Sequence, residues 1–172
     1  MNYSALRTCD VANGPGVRVT LFVSGCRIHC KNCFNPEAQD FNHGEPFTQE
    51  VQDKILKELK KPQIEGLSIL GGEPLEPENA EVLVDLCRAI RKKFGADKSI
   101  WVWTGYNIEK FCGKTFSPQQ QLLGLVDHLV DGPFIEEQKD ISLTFRGSRN
   151  QRILELEHGI VAKEVNYKFD RK

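Results

Sequence analysis

Cys26, Cys30 and Cys33 lie in the stretch SGCRIHCKNCFN, residues 24–35, and three thiols this close invite metal chemistry. A disulfide framework takes cysteines in pairs. A structural zinc site takes four ligands, usually from two paired knuckles. Zinc held by the three cysteines with His29 or His43 is one reading, although the chain has no second pair. An iron–sulfur cluster is another. Such clusters normally take four thiolates, so three leave one iron without a protein ligand and open to a further molecule. The C-x₃-C-x₂-C spacing also differs from the ferredoxin run, which disfavours a pure electron carrier. Of the other cysteines, Cys87 falls close to an apolar helical stripe and reads as a buried thiol. Cys9 and Cys112 have no clustered partners and read as structural.

Other stretches carry candidate site residues. Gly71-Gly72-Glu73-Pro74 pairs two glycines, which have no Cβ to keep a ligand away, with a carboxylate. Without the cysteines it reads as a strand-to-helix turn. Thr104-Gly105-Tyr106 and Asp131-Gly132-Pro133 each place a polar side chain beside a glycine, and turn capping competes evenly with a ligand role for Asp131. Arg146, Ser148 and Asn150 lie in a polar run whose alternative is a solvated loop.

These loops follow segments that must hold them. Val17–Val23 is β-branched and apolar between glycines, and predicts a largely buried strand. A helix is expected from Thr48 as N-cap, with Val51, Ile55 and Leu59 on one face and Pro62 ending it. Leu67–Leu70 predicts a second strand. Pro77 opens a helix whose Leu83, Leu86, Ile90 and Phe94 form an apolar stripe. Ile100–Trp103 predicts a third strand with Trp101 and Trp103 on the same side as packing residues. A helical stretch around 117–126 precedes His128–Val130, and Ile153–Leu156 is a last strand. Strands alternating with helices predict a parallel sheet with chemistry on the loops after its strands. Every loop singled out before Asp131-Gly132-Pro133, and that loop itself, falls there. The chain is too short for eight β/α units, so the expected fold is an α/β, partial (splayed) parallel barrel with fewer than eight strands.

The 172 residues suit one domain, 1–172. The 23 basic and 24 acidic side chains give a formal net charge of −1, which provides neither a nucleic-acid footprint nor a polybasic membrane patch. No apolar run reaches the roughly 18 residues of a membrane span, and the N-terminal residues do not read as a signal peptide. A cytoplasmic protein with reduced cysteines is expected.

Cys26-x₃-Cys30-x₂-Cys33 resembles the signature of the radical S-adenosylmethionine (SAM) enzymes, and Gly71–Pro74 is similar to their second motif. The closer resemblance is to the activating proteins of anaerobic ribonucleoside-triphosphate reductases. It rests on NGPGVRVTLFVSGC (13–26), CFN (33–35), GGEPL (71–75), WVWTGY (101–106), LVDGPF (129–134) and RGSRNQR (146–152). Many superfamily members have an aromatic residue just before the third cysteine; this chain has Asn32 there and Phe34 just after, as the reductase activases do. The resemblance implies that a [4Fe–4S] cluster on the three cysteines cleaves SAM reductively to a 5′-deoxyadenosyl radical. That radical would take hydrogen from a glycine of the reductase's large subunit. It implies a low-potential electron donor such as flavodoxin, and SAM contacts from Asn32, Cys33, Phe34, Gly71, Gly72, Glu73, Thr104, Asp131 and Gly132. Glu73 would help hold the methionyl ammonium. Arg146, Ser148 and Asn150 would meet SAM or the partner. Ordinary core packing is the alternative for Phe34.

Competing readings are a formate-lyase-type activase, a deazapurine-synthesising enzyme, a non-catalytic iron–sulfur carrier and a zinc-stabilised binding module. The first two would share the cysteines and GGEP but lack RGSRNQ.

Overall fold

The computed structural model describes residues 1–113 and 116–167. Strand β1 (Asn2–Asp10) is followed by β2 (Val17–Val23), the short β3 (Glu45–Pro46), helix α1 (Gln49–Leu59) and β4 (Ile64–Gly71). Next come α2 (Pro77–Phe94), β5 (Ser99–Trp103), α3 (Pro118–Leu123), β6 (His128–Asp131), β7 (Arg152–Glu157) and β8 (Ile160–Glu164). All eight strands join one open sheet in the order β3-β1-β2-β4-β5-β6-β7-β8.

The four inner strands β2, β4, β5 and β6 are parallel neighbours, so their C-terminal ends emerge together. The other four are antiparallel additions: β1 and β3 beyond β2, β7 and β8 beyond β6. The expectation of fewer than eight strands is therefore corrected. Asn2–Asp10 is mostly half-buried and mixes polar with apolar residues, so its strand character comes from pairing with β2 rather than from an apolar run. The β7–β8 hairpin turns at His158 and Gly159, both at positive φ (53° and 80°). That is the backbone of a two-residue hairpin turn, whose usual sequence mark is Asn-Gly or Asp-Gly rather than His-Gly.

Alternation along the strands sorts the side chains. Val19, Leu21, Val23, Leu67, Ile69, Ile100, Val102 and Leu129 join one core with Ile55 and Leu59 of α1 and Leu83, Leu86, Cys87 and Ile90 of α2. Pro77 starts α2, and Gly95 (φ 57°) ends it by returning its N–H to Arg91 O. α3 is shorter than the expected 117–126, and the Ser117 side chain caps it by accepting from Gln120 N. Thr48 takes the N-cap position of α1, but its side chain makes no capping bond.

On β5 the intervening residues Trp101 and Trp103 lie with centroids 5.6 Å apart, and Trp101 packs with Val130 and Ile153. The same alternation on β2 supplies Arg18, which is fully buried. Its guanidinium donates to Ser68 Oγ (2.7 Å), Leu67 O (2.9 Å), Ser99 O (2.9 Å) and Ser99 Oγ (3.0 Å), binding three parallel strands together.

Candidate functional site

Beyond the ends of the parallel strands a cavity of about 620 Å³ opens. Cys26, Cys30, Cys33 and Phe34 border it, as do Gly71, Gly72, Glu73, Thr104, Gly132 and Arg146. Phe22, Leu70, Trp103 and Phe145 contribute apolar wall. The volume falls within the range of about 300–1,000 Å³ common for small-molecule sites.

The cysteine loop is held chiefly by its neighbours. Gly72 N donates to Val23 O (2.7 Å), Glu73 N to Gly25 O (2.8 Å) and Gly25 N to Ala38 O (2.8 Å). A Cβ on Gly72 would lie 2.7 Å from Gly25 O and 2.8 Å from Ala38 O, closer than packing allows. The second glycine of GGEP thus lets two backbone segments touch, besides bordering the cavity. Gly71, at φ +111°, adopts a conformation that glycine takes without strain. Buried in the first turn of α2, Asn79 donates to Ser24 O and Glu73 O, each 2.9 Å away.

A second clamp holds the outer side of the loop. Glu76, almost fully buried, accepts from Arg27 N (3.0 Å), Arg27 Nη1 (2.7 Å) and Tyr106 Oη (2.9 Å). Arg27 also meets Glu78 and lies 4.3 Å over the Phe41 ring. One carboxylate therefore joins the cysteine loop to the Thr104–Tyr106 loop.

Glu73 is fully buried. It accepts from Thr104 Oγ1 (2.7 Å), Gly105 N (2.7 Å) and Leu75 N (2.8 Å). Burial pushes its carboxyl up to about 7, against the opposing pull of these donors. The side chain thus fixes the Thr104–Gly105 loop at the cavity wall. Burial likewise pushes Cys26 up to about 11 and raises Cys30. Metal loading of these thiols therefore releases protons.

The donor set suits an iron–sulfur cluster. Three soft thiol ligands share one largely apolar cavity, and neither His29 nor His43 borders it. His29 Nδ1 instead meets Gln39 Oε1 at 2.8 Å, and His43 faces Glu37. Among the described residues, no three His, Cys, Asp or Glu side chains converge as a single metal ion would require.

Four singled-out residues do not border the cavity. Asn32 is exposed at positive φ (54°). The Asp131 carboxylate is fully buried, accepting from Arg152 Nε (2.9 Å) and Ile108 N (3.0 Å). Ser148 Oγ accepts from Ile135 N, and Asn150 Nδ2 donates to Pro133 O (2.7 Å). The last three brace the backbone from Asp131 to Ile135, on which Gly132 and Phe134 reach the cavity. Phe34 is fully exposed at the rim, which removes the core-packing alternative. Cys87 is buried as expected, whereas Cys9 and Cys112 are exposed rather than packed.

Sequence reasoning did not identify Arg27, Glu76, Asn79 or Arg152 as supports. Arg27 is adjacent to a cysteine, and Glu76 and Asn79 closely follow GGEPL, so proximity to the motifs was the available signal.

A family described as a 4Fe–4S single cluster domain matches residues 12–154. A Vibrio cholerae protein is 44% identical over 155 residues, covering 89% of this chain and 97% of that protein. An Escherichia coli K12 protein is 42% identical over 153 residues, covering 88% and 96%. One from Enterobacteria phage T4 is 37% identical over 153 residues, covering 89% and 93%. All three bear the name anaerobic ribonucleoside-triphosphate reductase-activating protein. With this identity spread over almost the full length of its relatives, the chain belongs to the family of anaerobic ribonucleoside-triphosphate reductase-activating proteins.

Proposed function

We propose that Cys26, Cys30 and Cys33 ligate a [4Fe–4S] cluster in the cavity and that SAM binds beside it, between the cysteine, GGEP, TGY and DGP loops. The observation that carries this reading is the meeting of three cysteines and those four loops around one cavity in a chain of this family. When bound, the cluster and SAM supply one-electron chemistry: reductive cleavage of the sulfonium and removal of a hydrogen from a glycine of anaerobic ribonucleotide reductase. The enzyme is thus a glycyl-radical activase, an oxidoreductase that uses SAM.

The chain's own residues bind, orient and exclude water. Gly71, Gly72, Thr104, Gly132 and Arg146 border the space for SAM. Phe34 and Asn32 flank the third cysteine, where Phe34 offers an exposed ring for the adenine. Glu73 holds Thr104 and Gly105 in place; Asp131, Ser148 and Asn150 support the loop that carries Gly132. The apolar wall of Phe22, Leu70, Trp103 and Phe145 excludes water, which protects a reactive species from side reactions.

The open eight-stranded sheet is read as the splayed barrel of the radical SAM type, and residues 1–172 as a single domain. The reductase's large subunit is the proposed target, flavodoxin the proposed electron donor and the cytoplasm the proposed location. No helix among the described residues is long and apolar enough to cross a membrane.

Anaerobic reconstitution tests the proposal. The expected result is about four irons with matching sulfide, 5′-deoxyadenosine on reduction with SAM, and a glycyl radical by electron paramagnetic resonance on the reductase. One tightly held zinc without sulfide would overturn it.

A further inference from the structure

The backbone N–H of Ile28 donates to Cys26 Sγ across 3.5 Å. His29 N–H donates to the same sulfur, and the two donors oppose the upward push that burial gives this thiol. His29 takes its place at φ 51°, a left-handed conformation that costs any residue but glycine. A turn of that shape needs support, and the Thr104–Tyr106 loop supplies it from two directions. In the first, Tyr106 Oη donates to Glu76 Oε1 (2.9 Å), the oxygen that also accepts from Arg27 N (3.0 Å). Only the two soft dihedrals of Arg27 separate that amide from the amide of Ile28. In the second, the Ile28 side chain rests on Gly105, where an added Cβ would lie 2.5 Å from Ile28 Cδ1. Tyr106 itself does not border the cavity, so contact with SAM does not account for it.

We propose that Tyr106 and Glu76 are positioning residues for Cys26: they hold the Ile28 N–H on its sulfur, and that bond makes the cluster easier to reduce. The inference rests on the ligation proposed above. Reduction adds an electron whose charge spreads onto the ligand sulfurs, and an N–H donor stabilises the more negative state. Hydrogen bonds to ligand sulfurs are accordingly one of the levers that set such potentials. Releasing the donor makes the midpoint more negative and the electron harder to accept. Glu76 is a buried carboxylate whose charge alone would oppose reduction, and the Arg27 guanidinium 2.7 Å away offsets it. Tyr106→Phe is therefore the informative change, because it leaves both of those charges in place.

Two readouts on the full chain test this. In metal-free protein, solvent exchange of the Ile28 amide, followed by NMR, quickens about threefold or more in Tyr106→Phe. In reconstituted protein without SAM, a redox titration followed by electron paramagnetic resonance shows reduction roughly threefold less favourable, a midpoint lower by about 30 mV. Ile28→Pro removes the donor outright and lowers the midpoint at least as far. Glu78→Gln is the control: it removes a contact to the Arg27 guanidinium but none to its N–H, and leaves the Ile28 amide as slow as in the parent. Parent exchange in Tyr106→Phe, or equal quickening in Glu78→Gln, overturns the positioning role. Faster exchange with a parent midpoint overturns the tuning. A lower melting temperature with both readouts unchanged would reduce Tyr106 to a fold contact and overturn the proposal. A parent that assembles no four-iron cluster counts against the function proposed above, while the exchange ratio still decides whether the clamp holds the amide.

Discussion

Asn79→Ala tests how the second helix holds the cysteine loop. The amide of Asn79 donates to Ser24 O and Glu73 O at 2.9 Å, with a longer approach to Gly25 O at 3.4 Å. Two of these carbonyls keep another donor: Glu76 N serves Glu73 O and Glu73 N serves Gly25 O. Ser24 O keeps none among the described residues. Orphaning one buried carbonyl costs about 1–3 kcal/mol, and losing the shared bonds adds roughly 1 kcal/mol, for a total of about 2–4 kcal/mol. At about 2–4 °C per kcal/mol in a chain of this size, the melting temperature falls by roughly 5–15 °C. The measurement is thermal unfolding of the metal-free protein, so that loss of cluster does not contribute. Asn79→Asp separates the lost bonds from the lost volume: it keeps the shape, replaces donor by acceptor and adds charge beside Glu73 and Glu76. It is expected to destabilise at least as much. A shift below about 2 °C in both variants would refute the claim that this amide anchors the loop.

Cys26→Ala, Cys30→Ala and Cys33→Ala each abolish assembly of an intact cluster, read as iron and sulfide content. Cys87→Ala costs roughly 1 kcal/mol as a small buried side chain, and the exposed Cys9 and Cys112 cost within about 0.5 kcal/mol when replaced. Glu73 has its ordinary value of 4.5 when unfolded and about 7 when buried, so the folded chain binds the extra proton between those values. Stability from this group is therefore greatest below pH 4.5 and declines as pH rises through about 7, by at most about 3 kcal/mol. Urea unfolding against pH shows this slope in the parent, and Glu73→Gln flattens it; an unchanged slope would contradict the assignment. Asp131→Ala strands Arg152, which keeps Glu109, and costs about 2–3 kcal/mol in urea unfolding. Parent stability with lost SAM affinity would instead mean that this carboxylate faces the ligand.

Much of the scaffold was legible because periodicity reports burial directly. The β-branched, apolar run Val17–Val23 and the stripe of α2 each match an observed element, and the four parallel strands carry the expected loops to one end. Ile153–Leu156 likewise matches β7, whereas β1, β3 and β8 were not legible, because partial burial and cross-strand pairing leave little mark on local composition. The site divides the same way. Cysteine spacing is a local property, whereas Glu76 meets Arg27 across 49 positions and Tyr106 across 30. Asp131 shows the limit most clearly: an acid before a glycine reads equally as ligand or brace, and Arg152, 21 residues on, occupies its carboxylate.

The placement of Trp103 gives the protein an optical signal at its own reaction space. The chain has two tryptophans, alternate residues of β5 with rings 5.6 Å apart, and Trp103 borders the cavity with its indole N–H fixed on Phe145 O at 2.8 Å. Ultraviolet-excited emission from this chain therefore originates beside the three cysteines rather than from scattered positions. A chromophore that absorbs across the near ultraviolet, as an iron–sulfur cluster does, drains that emission by energy transfer when it assembles in the same cavity. Cluster loading and loss can thus be followed in real time in a sealed cuvette, without a label.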